Sequence, residues 1–153
     1  MDQLGRAVEG AHRRASVPAM NAGMIERWNA TVGPDDEVWH LGDFALRTPA
    51  ADAAALLRGL NGRKHLIAGN NDPPALRALP EWAGVRDYAE ITDGPVRLVL
   101  CHYALRTWNG MAKGALNLHG HSHGRLKPLP RQFDVGVDAR DFRPVTWQEL
   151  LTR

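Results

Sequence analysis

The stretch EVWHLGDF, residues 37–44, decides the fold class because a short apolar run ends there at a Gly-Asp pair. Apolar runs closed by turn residues are typical of buried strands, so we expect a strand here with Asp43 just past its end. Strands expected over 63–68, 96–101 and 116–119 likewise run into Asn70, His102 and His121. Loops at the carboxyl edge of a sheet build ligand sites, so the sequence predicts one polar site there.

Helical patterns alternate with these strands. We expect helices over 16–30, capped by Ser16 with Met20, Met24 and Trp28 on one face, and over 50–60 and 144–151, with a short helix after Pro73-Pro74. Further strands are expected over 85–92 and 133–137, with a hairpin turn at 93–95. Helices interleaved with strands predict a layered α/β domain.

Length and composition predict one cytoplasmic domain over residues 1–153. The 19 basic and 17 acidic residues nearly cancel, which makes nucleic acid and anionic membranes unlikely partners. The single cysteine, Cys101, excludes an internal disulfide framework and fits a reducing compartment. The sequence contains neither a membrane-spanning apolar run nor a signal segment at its start.

Each polar motif also has an ordinary structural interpretation. GHSH at 120–123 could be a surface loop, and GNND at 69–72 could be an Asn-rich turn. Asp43 could cap a loop, and His102 could be a hydrogen-bonded core histidine. No single motif therefore establishes a metal site.

Together the motifs GD (42–43), GNND (69–72), His102 and GHSH (120–123) resemble the calcineurin-like metallophosphoesterase family. Three longer segments look like its small bacterial branch, so the resemblance spans roughly residues 16–147: ERWNATVGPDDEVWHLGDFAL, LCHYALRTWNG and FDVGVDARDFRPV. The resemblance implies a layered αββα sandwich that hydrolyses phosphate esters with two divalent metal ions.

The resemblance also implies roles for particular residues. Asp43 would bridge the two ions, His123 would bind the first, and the second would be held by Asn70, His102 and His121. Histidine ligands favour manganese, iron, zinc or nickel over magnesium. Asn71 and Asp72 would occupy the catalytic Asn-His-Asp position, and His119 matches no ligand and is expected to be structural.

Arg106 is the candidate for binding a substrate phosphate, since a guanidinium matches phosphate oxygens in a bidentate fork. A surface arginine without that role is the alternative. Trp108 could stack on a base, although a packed tryptophan is the simpler interpretation.

The sequence departs from the family pattern in three places. No D-x-H motif is present, so the first strand is expected to be missing and the first metal site, left with Asp43 and His123, to be poorly filled or empty. The missing motif has three explanations: a start site placed too far downstream, a true truncation, or a partner chain that completes the sheet. An open sheet edge would favour a homodimer. Asn71 replaces the family's proton-donating histidine, and Leu46 replaces its second aspartate.

The leading hypothesis is therefore a metal-dependent phosphoesterase acting on a small phosphomonoester or phosphodiester. The alternative is a metal-poor homologue or fragment that acts as a binding or scaffolding module. A dedicated nuclease is a weaker third hypothesis because no basic stripe with interleaved aromatic residues is visible in the sequence.

Overall fold

Two β-sheets that pack face to face form the centre of the protein. A computed structural model describes residues 6–8, 17–45, 48–136 and 143–152, with side chains described from residue 22 onward. The expectations for Ser16, Leu46 and Val137 fall outside these residues. The described strands are β1 (Arg6–Val8), β2 (Glu37–His40), β3 (Arg63–Ile67), β4 (Gly84–Arg86), β5 (Tyr88–Asp93), β6 (Val96–Cys101), β7 (Leu116–His119) and β8 (Gln132–Asp134).

Four α-helices lie among the described residues, so the protein is a mixed α/β fold. They are α1 (Val17–Thr31), α2 (Ala50–Gly59), α3 (Pro74–Arg77) and α4 (Trp147–Leu151). The predicted helices lie within a few residues of these bounds, and α4 begins at a capping box formed by Thr146 and Glu149. None of the described helices combines the length and apolarity needed to cross a bilayer.

Each sheet contains four strands. The first has the order β1-β2-β3-β4 and is parallel throughout. The second has the order β5-β6-β7-β8, in which β5 and β6 form the expected antiparallel hairpin and the other neighbours are parallel. Parallel strands β2, β3, β6 and β7 thus end at loops that contain the predicted polar residues.

Strand alternation divides the interior into separate cores. Val38 and Leu66 face the helices on the outer side of the first sheet, where Trp28 and Leu57 pack against them. The opposite face of the first sheet packs on the second sheet through a core containing these residues: Trp39, Leu41, Ile67, Ala89, Leu98, Leu100, Leu116 and Leu118. This buried apolar surface fixes the register of both sheets, since a slip by one residue would turn it outward.

The outer face of the second sheet is covered by a loop. Val99 packs there with Trp108 and Ala115, and a 3-10 turn at Met111–Lys113 is the regular element of that loop. Trp108 is therefore a packed core residue, held by a 2.9 Å hydrogen bond from its Nε1 to the Ala115 carbonyl.

The expectation of a missing first strand is wrong. Arg6–Val8 forms β1, which pairs in parallel with Val38–His40 of β2 at the edge of the first sheet. A three-residue strand is too short to show an alternating pattern, and the backbone of β2 supplies the pairing that stabilises it. The absence of a D-x-H motif remains a property of the sequence.

The strand predicted over 85–92 is also corrected. It is broken at Asp87 into β4, which pairs with β3, and β5, which pairs with β6 in the other sheet. Local sequence shows a continuous β pattern there, whereas the two halves of that pattern find partners in different sheets.

Candidate functional site

Four loops bring polar side chains together at the carboxyl ends of β2, β3, β6 and β7. The metal-binding atoms of Asp43, His102 and His121 all lie within 4.8 Å of one another. Asn70 joins them, because its Oδ1 lies 2.9 Å from His102 Nε2. Four of the five predicted metal ligands therefore meet at one place. His123 does not belong to this group, although it lies two residues from His121.

His102 is held so that one ring nitrogen faces the cluster. Its Nδ1 lies 2.7 Å from the Leu41 carbonyl, which can only accept a hydrogen bond, so Nδ1 is the protonated nitrogen. The lone pair of a neutral Nε2 then faces Asn70 Oδ1, with Asp43 Oδ2 at 3.5 Å. Three acceptor atoms therefore converge: His102 Nε2, Asn70 Oδ1 and Asp43 Oδ2. A cation bound between these atoms, or a proton on Nε2, would satisfy their lone pairs. This donor set suits a divalent transition-metal ion.

Asp43 is buried and has a left-handed backbone, with φ of 54°. Its Oδ1 accepts a 2.9 Å hydrogen bond from the Asn71 backbone N–H, and its Oδ2 accepts a 3.2 Å bond from Asn71 Nδ2. The side chain of Asn71 thus points at the carboxylate that the resemblance places between two ions.

Asp72 ties the β2 and β3 loops together. Its buried carboxylate accepts hydrogen bonds of 2.8 to 2.9 Å from the backbone N–H groups of Asp43, Phe44 and Gly69. Burial raises the pKa of Asp72, while these three donors act in the opposite direction. Arg77 Nε donates to the Asp72 carbonyl at 2.7 Å and secures the same loop from outside.

The two loops approach so closely that they require glycine. A Cβ at Gly42 would lie 2.3 Å from His102 Nδ1, and one at Gly69 would lie 2.5 Å from Asp43 Oδ1. Neither contact is sterically possible without movement of a site residue.

The histidine loop contains two further left-handed residues. His121 has φ of 65° and His123 has φ of 52°, a conformation that L-residues seldom adopt outside turns and functional sites. His119 is buried instead, and its Nδ1 donates to the Gly120 carbonyl at 2.9 Å. That position fits the structural role expected for it.

Sequence reasoning missed Tyr103, which is 46% exposed at the edge of the cluster. Its ring packs edge-on against His102 and His121, with centroid distances of 4.9 and 4.7 Å. Its place directly after His102 was the available signal. Arg106, the predicted phosphate ligand, is exposed on the same loop.

The chain is similar in sequence to two phage proteins. It is 30% identical to the Gene 66 protein of Mycobacterium phage D29, over 97% of this chain and 86% of that protein. It is 25% identical to the Gene 66 protein of Mycobacterium phage L5, over 97% of this chain and 84% of that protein. No protein-family model matches the sequence.

Among solved structures, a protein of unknown function from Aquifex aeolicus, AQ665, has a similar fold. The TM-score is 0.74 at 19% identity, covering 96% of this chain and 97% of that one. This likeness concerns the fold alone. The relationship to the phage D29 protein extends over nearly the whole of both sequences, and the chain therefore belongs to the family of the mycobacteriophage Gene 66 proteins.

Proposed function

We propose that the protein is a phosphoesterase that depends on a divalent metal ion and hydrolyses small phosphomonoesters or phosphodiesters. The observation that carries the proposal is the convergence of Asp43, His102 and His121 within 4.8 Å, with Asn70 against His102. A carboxylate, an amide oxygen and two imidazoles are a suitable ligand set for manganese, iron, zinc or nickel. In this proposal the fold is a layered sandwich of the metallophosphoesterase type.

The chain's residues have separate tasks in this proposal. Asp43, Asn70, His102 and His121 would hold an ion that supplies Lewis acidity to a phosphoryl oxygen and lowers the pKa of bound water. Arg106, exposed on the loop after His102, would bind phosphate oxygens. Asp72 acts as a positioning residue, because it contacts the backbones of both ligand loops and not the cluster itself.

The other ion implied by the resemblance has fewer candidate ligands than the ion at this cluster. Among the described residues, Asp43 and His123 remain for it, and Asn71 Nδ2 already donates to Asp43 Oδ2. We propose that one ion binds firmly and that any second ion binds more weakly.

Asn71 limits the chemistry of the leaving group. Its amide can donate a hydrogen bond but cannot release a proton near neutral pH. The protein should therefore prefer esters with good leaving groups: aryl phosphate esters should react faster than alkyl esters by more than their intrinsic reactivities predict.

The alternative is a binding module with little or no bound metal. The hydrogen bond from Asn71 to Asp43 favours it, since an amide donor can satisfy a carboxylate without a cation. In such a binding module the polar cluster would hold the four loops in position and would not bind a metal ion.

Hydrolysis of a phosphodiester reporter, bis-p-nitrophenyl phosphate, separates these functions. Manganese-dependent turnover by the full chain, lost by at least about 100-fold in His102→Gln and Asp43→Asn, is expected for the enzyme. Turnover that survives both substitutions would contradict catalysis at this cluster, and no turnover with any of the four metals would support the binding module. Asp52→Asn, which removes an exposed carboxylate on α2, is the matched control and should retain full activity.

A further inference from the structure

Acidic residues are absent from residues 94–133, the segment of the chain beside the cluster. Residues 94–133 contain six lysines and arginines and no aspartate or glutamate, whereas the other residues contain 13 basic and 17 acidic side chains. The net charge of +2 conceals this separation. Charge asymmetry of this kind indicates a polyanionic partner more directly than net charge does.

The fold places these residues on one surface. Arg97 points to the outer side of the second sheet, as does its strand neighbour Val99. The loops that follow β6 and β7 lie side by side there, joined by hydrogen bonds from Arg131 to the Met111 carbonyl and from Gln132 to the Leu105 carbonyl. We call the exposed surface of β6 and of these two loops the basic face, and all six of its cationic residues are exposed: Arg97, Arg106, Lys113, Arg125, Lys127 and Arg131.

Most of these cations are available to a ligand. Arg97 pairs with Glu90 at 3.2 Å, and Arg131 is bound to a backbone carbonyl at 2.8 Å. Among the described residues, the other four make no ion pair: Arg106, Lys113, Arg125 and Lys127. Glu90, at the edge strand, and Asp134, at the end of β8, are the acidic groups bordering the face.

The basic face begins at the metal cluster. Tyr103 directly follows His102, Arg106 comes four residues after His102, and Arg125 comes two residues after His123. From there both loops run along the sheet to the opposite end, where β7 and β8 start. The four residues of β7 and the six residues of β6 span roughly 13 to 20 Å, enough to contact several successive phosphates.

We propose that the basic face binds a single-stranded nucleic acid and leads it to the cluster. Four of the six cations lie on irregular loops, with Arg97 on β6 and Lys113 in the 3-10 turn. The cations therefore do not line a helix or a two-stranded ribbon that would enter a duplex groove. Tyr103 presents an exposed ring at the cluster end, where an unpaired base can stack. Binding needs no metal, while cleavage of the bound strand rests on the proposed function.

Fluorescence anisotropy with a labelled mixed-sequence DNA strand of about 12 nucleotides, in EDTA, tests this surface. Arg125→Gln/Lys127→Gln should weaken binding about tenfold and lower the slope of log affinity against log salt by about 1.4. Arg58→Gln/Arg63→Gln removes the same charge from exposed positions on α2 and β3 and should change affinity less than about twofold.

Stacking is tested separately by Tyr103→Ala, expected to weaken binding about tenfold, and Tyr103→Phe, expected to retain it. The proposal would be overturned if Arg125→Gln/Lys127→Gln and Arg58→Gln/Arg63→Gln lost the same amount of affinity for the strand. Tighter binding of the matching duplex, or no measurable binding at low salt, would also overturn it. Hydrolysis of the small reporter is measured independently, so strand binding without turnover would uphold this inference and refute the enzymatic one.

Discussion

At the scale of single residues, the site depends on two glycines as much as on its ligands. Gly42 and Gly69 let the β2 and β3 loops touch, and they bring Asp43 and His102 together. Neither glycine carries a functional group, yet any side chain at these two positions would collide with a residue of the site.

Gly69→Ala should therefore damage both folding and metal binding. The new Cβ would meet Asp43 Oδ1 at 2.5 Å and His102 Cε1 at 2.9 Å, so we expect a loss of about 2 kcal/mol in the free energy of unfolding. Urea denaturation measures this loss. Gly84→Ala, whose nearest neighbour is His65 Nδ1 at 3.6 Å, is the control and should stay within about 1 kcal/mol of the wild type. Equal effects of the two substitutions would contradict the crowded geometry.

His40 should make the protein sensitive to acid. It is buried against Phe44 and Trp82, and burial, reinforced by the nearby His102, lowers its pKa to about 3. The unfolded chain, with a histidine pKa near 6.5, binds this proton first. Stability is thus present above about pH 6.5 and is lost as the pH falls toward 3, by about 2 kcal/mol at pH 5.

His40→Leu removes this titration and replaces the buried imidazole by an apolar side chain of similar size. The difference in unfolding free energy between pH 8 and pH 5, measured in EDTA, should shrink by about 2 kcal/mol in the variant. An unchanged difference would show that His40 is protonated or solvated in the folded protein.

The grouping of the candidate metal ligands at one sheet edge was predictable at this scale, but their contacts were not. Asp43, Asn70, His102 and His121 follow strand ends, and that placement is visible in the sequence. The attachment of Asn71 to Asp43 depends on how two loops meet, which no local pattern encodes.

At the scale of elements, Asp72 determines how two loops are joined. The resemblance assigns it to a catalytic pair, yet its carboxylate is fully used by backbone donors from the β2 and β3 loops. Its role in the structure is to orient the loops from which Asp43 and Asn70 extend.

Asp72→Asn should test that role. An amide has one accepting oxygen, so at least one buried backbone N–H would lose its partner, at a cost of about 2 to 3 kcal/mol. We also expect manganese affinity to fall about tenfold, as is typical when the groups that orient metal ligands are removed. Thermal unfolding and metal titration provide the two readouts. If manganese affinity were unchanged while stability fell, Asp72 would support the fold without positioning the ligands.

The helices and most strands were predictable because turn residues bound their apolar segments, as Asn61-Gly62 does after α2 and Asp93-Gly94-Pro95 does before β6. The break at Asp87 and the strand β1 were not, since both depend on pairing partners distant in sequence. Local pattern identifies an element, whereas the sheet it joins is decided by tertiary packing.

At the scale of the whole molecule, two sheets share one core while their outer faces differ. Helices cover the outer face of the first sheet, and basic loops cover that of the second. The α/β class followed from the order of elements, but the separation of charge between the faces became visible only once the sheets were assigned.

Calorimetric titration of Mn²⁺ into the metal-free full chain tests whether the cluster around Asp43 and His102 is a metal centre. We expect saturable binding of at least one ion per chain, abolished by Asp43→Asn and by His102→Gln. Manganese at about 100 times its dissociation constant should also stabilise the wild type by about 2.7 kcal/mol. A wild-type protein that binds no ion, or that binds it equally well without Asp43 and His102, would contradict the metal centre.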